Sequence, residues 1–181
     1  PDLAFLWDTT GSLTVLRNAG DGTFEPGLPV EAGSSASLPR CMAAGDWDGD
    51  GDQDLAVALE GTSALALLAN AGDGTFAAPK NLSLDAAPLF VVSRDLDFDG
   101  RPDLATVSSA ASKATVLRNT GGLTFKEMGP FTAGKGASFL ALADLVGSVA
   151  PDILVVNSGS DSLSVVRNTS SPALDKDCNS N

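Results

Sequence analysis

Short apolar segments separated by Gly, Ser and Asp recur along the whole chain. Each is only a few residues long and helical periodicity is nearly absent, so the pattern predicts β-strands. The clearest predicted strands are RCMAAGD (40–46), DLAVAL (54–59), ALALLAN (64–70), LFVVSRD (89–95), DLATVS (103–108), KATVLRN (113–119) and FLALAD (139–144). Another is predicted near FAAPKNLSL (76–84), after a glycine turn.

Three sequence markers repeat with one common period. An Asp followed by Leu or Ile recurs in steps of 52, 49 and 49 residues, at Asp2, Asp54, Asp103 and Asp152. An Asn after an apolar stretch recurs with the same steps, at Asn18, Asn70, Asn119 and Asn168. A Phe after a glycine turn is the third marker, at Phe24, Phe76 and Phe125. A fixed period of this length is typical of repeat architectures.

The repeat divides the chain into four units, approximately 1–36, 37–86, 87–135 and 136–170, followed by a polar tail at 171–181. Four short strands in roughly fifty residues is the spacing of a propeller blade. We therefore predict an all-β fold, a β-propeller-like array of about 3.5 four-stranded antiparallel blades. The first unit lacks its first strand, and the last unit has no evident last strand.

The glycine turn NAGDGTF has a structural interpretation. Asp-Gly supplies the positive φ angles that a tight hairpin needs, and the Phe then restarts a strand and fills the core. We therefore assign no ligand role to these turns.

Two units carry a run of alternating aspartates, at residues 46–54 and 95–103, with Asp at loop positions 1, 3, 5 and 9 of both. Carboxylates so close together repel one another, and calcium reverses that repulsion because it takes about six to eight oxygen ligands. Side-chain ligation is expected from Asp46, Asp48, Asp50 and Asp54 in the first loop, and from Asp95, Asp97, Asp99 and Asp103 in the second.

Loop position 7 is Asp52 in one run and Arg101 in the other. A position that tolerates a cation fits a ligand that offers only its main-chain carbonyl. Gly51 and Gly100 at position 6 permit a sharp bend, as in the EF-hand loop, but here the run leads directly into a strand. The alternatives are a solvated acidic turn and magnesium, which keeps more of its waters.

The corresponding loop of the last unit runs from Asp144 to Asp152, and positions 3 and 5 are Val146 and Ser148. Two side-chain ligands are missing, so we predict that this loop is empty and that Asp144 and Asp152 brace it by hydrogen bonds. The tail again alternates oxygen-bearing side chains from residue 175 to 181. It either begins another calcium loop or is a frayed terminus.

The composition argues against several classes of function. A net charge of −12 makes nucleic acid an improbable partner, and no apolar run is long enough to insert into a membrane. The absence of His excludes His-based zinc sites and His general bases, so we expect no enzyme. The two cysteines, Cys41 and Cys178, are far apart and their pairing is open.

With the two loops AAGDWDGDGDQDLAVAL and VVSRDLDFDGRPDLATV and the turn NAGDGTF, the chain resembles the VCBS / FG-GAP repeat family, the blades of integrin-α-type propellers. The resemblance extends to about residue 168. It implies four-stranded blades with calcium between the first two strands, secretion or surface display, and adhesion or carbohydrate contact. The tail is similar to the start of a thrombospondin type-3 calcium segment.

Fewer than four complete units cannot close a propeller ring. We expect the chain to be part of a longer propeller or to associate with other copies of itself, as a dimer or a fibre.

The expected function is a non-enzymatic extracellular calcium-binding scaffold for structure or adhesion. The alternative is a lectin-like propeller that binds glycans, which needs aromatic platforms such as Trp7 or Trp47. The sequons at Asn81 and Asn168 leave glycosylation open.

Overall fold

The computed structural model describes residues 2–7, 9–145, 147 and 150–170. The described chain forms four antiparallel β-sheets in sequence order, and each sheet is a meander of consecutive strands. Sheet 1 contains β1 (Leu3–Trp7), β2 (Ser12–Asn18) and β3 (Phe24–Glu31). Sheet 2 contains β4 (Pro39–Gly45), β5 (Asp54–Leu59), β6 (Ala64–Leu68) and β7 (Lys80–Ser83).

Sheet 3 contains β8 (Phe90–Arg94), β9 (Asp103–Ser108), β10 (Lys113–Gly121) and β11 (Thr124–Thr132). Sheet 4 contains β12 (Ala137–Ala143), β13 (Asp152–Asn157) and β14 (Ser162–Val166). Two single-turn 3-10 helices lie at Ser35–Ser37 and Glu60–Thr62. The all-β prediction is confirmed, with four antiparallel sheets of three or four strands each.

Neighbouring sheets pack face to face through three apolar layers. Leu13 of sheet 1 packs with Val57 and Leu68 of sheet 2. Leu65 of sheet 2 packs with Leu104 of sheet 3 in the second layer. The third layer lies between sheets 3 and 4 and contains Val107, Leu140 and Val155. Burial on both faces explains why β5 is apolar from Leu55 to Leu59 instead of alternating. Every residue of β9 is buried as well, although Asp103, Thr106 and Ser108 are polar.

The fourth strand of sheet 2 is shorter than its sequence pattern indicates. Pro79 has no N–H to give to a ladder, and β7 begins only at Lys80. Phe76 keeps a single bridge to Asn70. Phe76 and Phe125 pack against the apolar layers, as predicted for the turn motif, whereas Phe24 is 39% exposed.

Candidate metal centre

Two aspartate loops occupy the same place in adjacent sheets. The first joins β4 to β5 and the second joins β8 to β9, so each begins where the first strand of a four-stranded sheet ends. The final aspartate of each loop is the first residue of the next strand: Asp54 pairs with Gly45, and Asp103 pairs with Arg94. The pairing of the two flanking strands therefore closes each loop at its base.

The first loop gathers three carboxylates around one point. Asp46, Asp48 and Asp50 each offer an oxygen, and these oxygens lie within 4.8 Å of one another. Asp46 shapes the loop because its two oxygens accept hydrogen bonds from the backbone N–H groups of Gly49 at 2.7 Å and Gly51 at 3.0 Å. Both glycines have φ near +90°, which residues with a side chain rarely adopt.

The second loop repeats this arrangement with Asp95, Asp97 and Asp99, again within 4.8 Å. Asp95 accepts from the N–H of Phe98 at 2.7 Å and of Gly100 at 3.0 Å. Phe98 replaces the glycine of the first loop and has a φ of 63°. A bulky residue in the left-handed region is strained, so the loop holds this conformation against a local cost.

Asp54 and Asp103 lie apart from these groups of three. Both are almost fully buried, and both carboxylates accept two backbone N–H bonds. The donors to Asp54 are Trp47 at 3.0 Å and Asn70 at 2.9 Å. Each carboxylate thus ties its loop to the third strand of its own sheet, whatever part it takes in binding a metal.

Burial leaves these two carboxylates poorly hydrated. It raises the pKa of Asp103 to about 6, and the negative charges of Asp97 and Asp99 add to the rise. Burial also raises the pKa of Asp54, although the hydrogen bonds from Asn70 and Trp47 act in the opposite direction. A cation beside these carboxylates favours their ionised form.

The side chains at loop position 7 both reach toward the turn after the third strand. A Cβ on Gly72 would lie 2.5 Å from Asp52 Oδ2, so the Asp52 side chain lies against that turn. The guanidinium of Arg101 donates to the Asn119 carbonyl at 3.4 Å and to Asp99 at 2.5 Å. The main-chain role predicted for Asp52 and Arg101 stays a prediction.

Arginine distinguishes the second loop from the first. Arg118 forms ion pairs with Asp97 and, at 3.5 Å, with Asp99, while Arg101 also pairs with Asp99. The repeat positions of Arg118 and Arg101 in the first loop hold Ala69 and Asp52. Among the described residues, the first loop has no ion pair that neutralises its aspartates.

Comparison with protein-family models gives three overlapping matches to the FG-GAP-like repeat, at residues 1–57, 46–106 and 95–155. Two of these matches begin at the first aspartate of a loop and continue past the next loop. The matches together cover most of the sequence. The chain belongs to the FG-GAP-like repeat family.

Two solved structures show a similar fold. A Photorhabdus luminescens Tc holotoxin pore is 23% identical with a TM-score of 0.52; the match covers 90% of this chain and 8% of that one. A candidate 6-phosphogluconolactonase from Bacteroides uniformis is 13% identical with a TM-score of 0.54; the match covers 86% of this chain and 50% of that one. This chain therefore spans half or less of the length of either matched protein chain. No match was found among curated proteins.

FG-GAP-like repeats are typical of extracellular β-propeller scaffolds and often bind Ca²⁺. The two groups of aspartates are the residues of this chain that could hold such an ion. None of the described helices has the length and apolar character needed to cross a bilayer.

The loop of the last FG-GAP-like repeat is braced as predicted. Asp152 accepts hydrogen bonds from the N–H of Leu145 at 3.3 Å and of Asn168 at 2.8 Å, and Asp144 accepts from Gly147 at 2.7 Å. Val146 and Ser148, on which its predicted emptiness depends, lie outside the described residues. So do Cys178 and the tail at 171–181.

An asparagine at the end of the third strand links each aspartate loop to the next repeat. Asn119 of sheet 3 donates to the carbonyl of Trp47 in the sheet 2 loop at 3.1 Å, and Asn168 of sheet 4 donates to the carbonyl of Leu96 at 2.7 Å. The sequence alone shows these asparagines only as markers of the period. Their fixed spacing is the one sequence signal that could have indicated a shared structural role.

Trp47 cannot serve as a sugar platform, because it is 1% exposed and its ring packs edge-on against Phe125 at 6.3 Å. Trp7 is 54% exposed, on the open face of sheet 1.

Cys41 is half-buried between sheets 2 and 3, and burial raises the pKa of its thiol. Of the two sequons, Asn81 is exposed, while the amide nitrogen of Asn168 is already bonded to Leu96.

Proposed function

We propose that this chain is a non-enzymatic, extracellular scaffold of the β-propeller type whose aspartate loops each bind one Ca²⁺. The observation that carries the proposal is the recurrence of one carboxylate geometry, in Asp46, Asp48 and Asp50 and again in Asp95, Asp97 and Asp99, at the same place in adjacent sheets. A solvated acidic turn has no reason to reproduce that geometry in two FG-GAP-like repeats.

In this proposal the metal stabilises the folded protein and takes no part in catalysis. Three carboxylates within 4.8 Å destabilise an empty loop, and a divalent cation removes the repulsion. Asp54 and Asp103, together with the main-chain oxygens of Asp52 and Arg101, complete the ligand set. Calcium is favoured over magnesium because such a loop supplies many protein oxygens, whereas magnesium keeps several of its waters.

Thermal unfolding with and without a chelator tests the proposal. At a calcium concentration of about 100 times Kd, each site adds about 2.7 kcal/mol to the free energy of unfolding. For a domain of this size, two sites raise Tm by roughly 10–20 °C. Magnesium at the same concentration is the control and should give a much smaller rise. A melting curve that EDTA leaves unchanged contradicts the proposal.

The glycan-binding alternative has less structural support, since Trp47 is buried in the core. Trp7 remains available, but it belongs to a broad apolar sheet face instead of a pocket. A glycan array probed with the calcium-loaded chain tests the alternative, and reproducible binding of one sugar class would favour it.

A further inference from the structure

We infer that the two calcium sites are coupled through Asn119, so that calcium in one aspartate loop raises the affinity of the other loop for calcium. The coupling rests on the proposed function, because it requires both loops to bind the ion. It is a property of the pair of loops that neither loop has alone. One buried asparagine, hydrogen-bonded to both loops, is the feature that produces it.

Asn119 lies at the end of the third strand of sheet 3 and is 1% exposed. Its backbone N–H donates to Asp103 Oδ1 at 2.8 Å, and Asp103 closes the second loop. Its side-chain Nδ2 donates to the carbonyl of Trp47, at position 2 of the first loop, at 3.1 Å. Its Oδ1 accepts from the N–H of Gly121 at 2.8 Å. The side-chain amide therefore has a partner at both its nitrogen and its oxygen, which fixes its orientation.

Trp47 extends this contact to the aspartate that closes the first loop. Its backbone N–H donates to Asp54 Oδ2 at 3.0 Å. Three hydrogen bonds thus join the closing carboxylates of the two loops, in the order Asp54, Trp47, Asn119 and Asp103. All four residues are at most 1% exposed. The bonds therefore form in an interior of low dielectric constant, where they are stronger than in water.

A further contact of Asn119 reaches the carboxylate cluster of the second loop. Its carbonyl accepts from Arg101 Nε at 3.4 Å, and the Arg101 guanidinium also pairs with Asp99. Asn119 therefore contacts the second loop at positions 7 and 9. A rearrangement of the cluster when calcium binds acts on Asn119 from both positions.

Asn70 and Asn168 have the same repeat position as Asn119 but do not join two calcium loops. The side-chain amide of Asn70 donates at 3.1 Å to the carbonyl of Gln53, which belongs to the loop of its own repeat. Asn168 donates to Leu96 in the second loop, but its own repeat has the loop 144–152, which we predict to be empty. Of these three asparagines in the described chain, Asn119 alone joins two carboxylate clusters.

The coupling is positive because the shared residues have to be ordered only once. Calcium in the second loop holds Asp103 and, through it, Asn119. Trp47 and Asp54 are then already in place when the first loop fills, so the second ion costs less conformational entropy. Linkage requires the same factor in both directions. We expect about fivefold, near the lower end of the range for coupled sites.

NMR titration with calcium measures the coupling in a double-mutant cycle. The N–H of Gly100, which is bonded to Asp95, reports on the second loop. The Kd of the second loop should be about fivefold higher in Asp48→Asn, in which the first loop cannot fill, than in the wild type. In an Asn119→Ala background, Asp48→Asn should produce no such increase.

Direct electrostatic interaction between the loops predicts the opposite sign. Calcium adds two positive charges to the first loop, whereas Asp48→Asn removes one negative charge. A filled wild-type loop therefore repels a second cation more than the empty Asp48→Asn loop does. By this effect alone, Asp48→Asn would lower the Kd of the second loop.

Asn168→Ala is the matched control, because Asn168 also donates from a neighbouring sheet to the second loop. The substitution should weaken the second loop whether or not the first loop can fill. The fivefold effect of Asp48→Asn should persist in the Asn168→Ala background, since the bonds of Asn119 are intact there.

Hydrogen exchange tests the coupling without any change at Asn119. Calcium fills only the second loop of Asp48→Asn, and the N–H of Trp47 in the first loop should then exchange several-fold more slowly. Unchanged exchange at Trp47, or an equal Kd in wild type and Asp48→Asn, overturns the coupling and leaves both calcium sites intact. A fivefold effect that survives in Asn119→Ala overturns the role of Asn119. A wild type in which calcium shifts no loop signal contradicts the proposed function itself.

Discussion

The two aspartate loops share one carboxylate geometry but differ in the charges around it. In the loop 46–54, Asp52 adds a fifth carboxylate, whereas in the loop 95–103 that position is Arg101, and Arg118 pairs with the cluster as well. A calcium-free second loop is therefore partly neutralised by its own arginines. The first loop has no such arginine partners and needs an external cation to neutralise its carboxylates. We therefore expect calcium to stabilise the two loops by different amounts.

The largest expected effect comes from the buried aspartate that closes the first loop. Asp54→Ala leaves the N–H groups of Trp47 and Asn70 without an acceptor, and we expect a loss of about 3–5 kcal/mol in the free energy of unfolding. Chemical denaturation measures it. Asp152→Ala removes the same two bonds from a loop predicted to be empty, so only Asp54→Ala should also reduce the calcium response.

Substitution inside the clusters should separate the two loops. Asp48→Asn relieves repulsion, so it should stabilise the calcium-free protein slightly and remove about 2.7 kcal/mol of calcium stabilisation at a concentration near 100 times Kd. Asp97→Asn should remove a similar calcium contribution but destabilise the calcium-free protein, because Arg118 loses its partner. Equal effects of both variants in EDTA contradict the electrostatic distinction.

Removing the competing arginine should strengthen the second site. We expect Arg118→Ala to raise calcium affinity at the second loop by up to about fivefold, since exposed ion pairs contribute up to about 1 kcal/mol. Calorimetric titration measures the change. Arg17→Ala is the control, because Arg17 has the same repeat position in the first unit and should leave both affinities unchanged.

The smallest effect concerns pH. The pKa of Asp103 is about 6 in the calcium-free protein, above its usual 3.8. The stability that its neutral form contributes is present at low pH and is lost as pH rises through about 6. Calcium requires the ionised form, so calcium affinity at the second loop should fall as pH drops below 6. Titrations at pH 7 and pH 5 test this, with Asp103→Asn as the variant that lacks the transition.

The sequence predicts the strands and loops well because both are local. The repeated Asp-Leu, Asn and Phe markers place β5 and β9 at the bounds that the structure shows, and the alternating aspartates place both clusters. Contacts between repeats were not predicted. The bond from Asn119 to Trp47 spans 72 residues and depends on how two sheets pack.

The arginine pairs were missed for a related reason. Arg118 lies 21 residues beyond Asp97 in sequence, and only the pairing of β9 with β10 brings it beside the loop. The anchoring of Asp54 and Asp103 by two N–H groups was also not foreseen, because the sequence pattern presents them as equal to the other aspartates. Burial distinguishes them, and burial depends on the neighbouring sheets.

Calorimetric titration of calcium into the metal-free chain tests the central claim most directly. We predict that two calcium ions bind per chain, with the tighter site lost in Asp48→Asn and the weaker site lost in Asp97→Asn. A titration without saturable heat, or one that both variants leave unchanged, would contradict the assignment of the two aspartate loops as calcium sites.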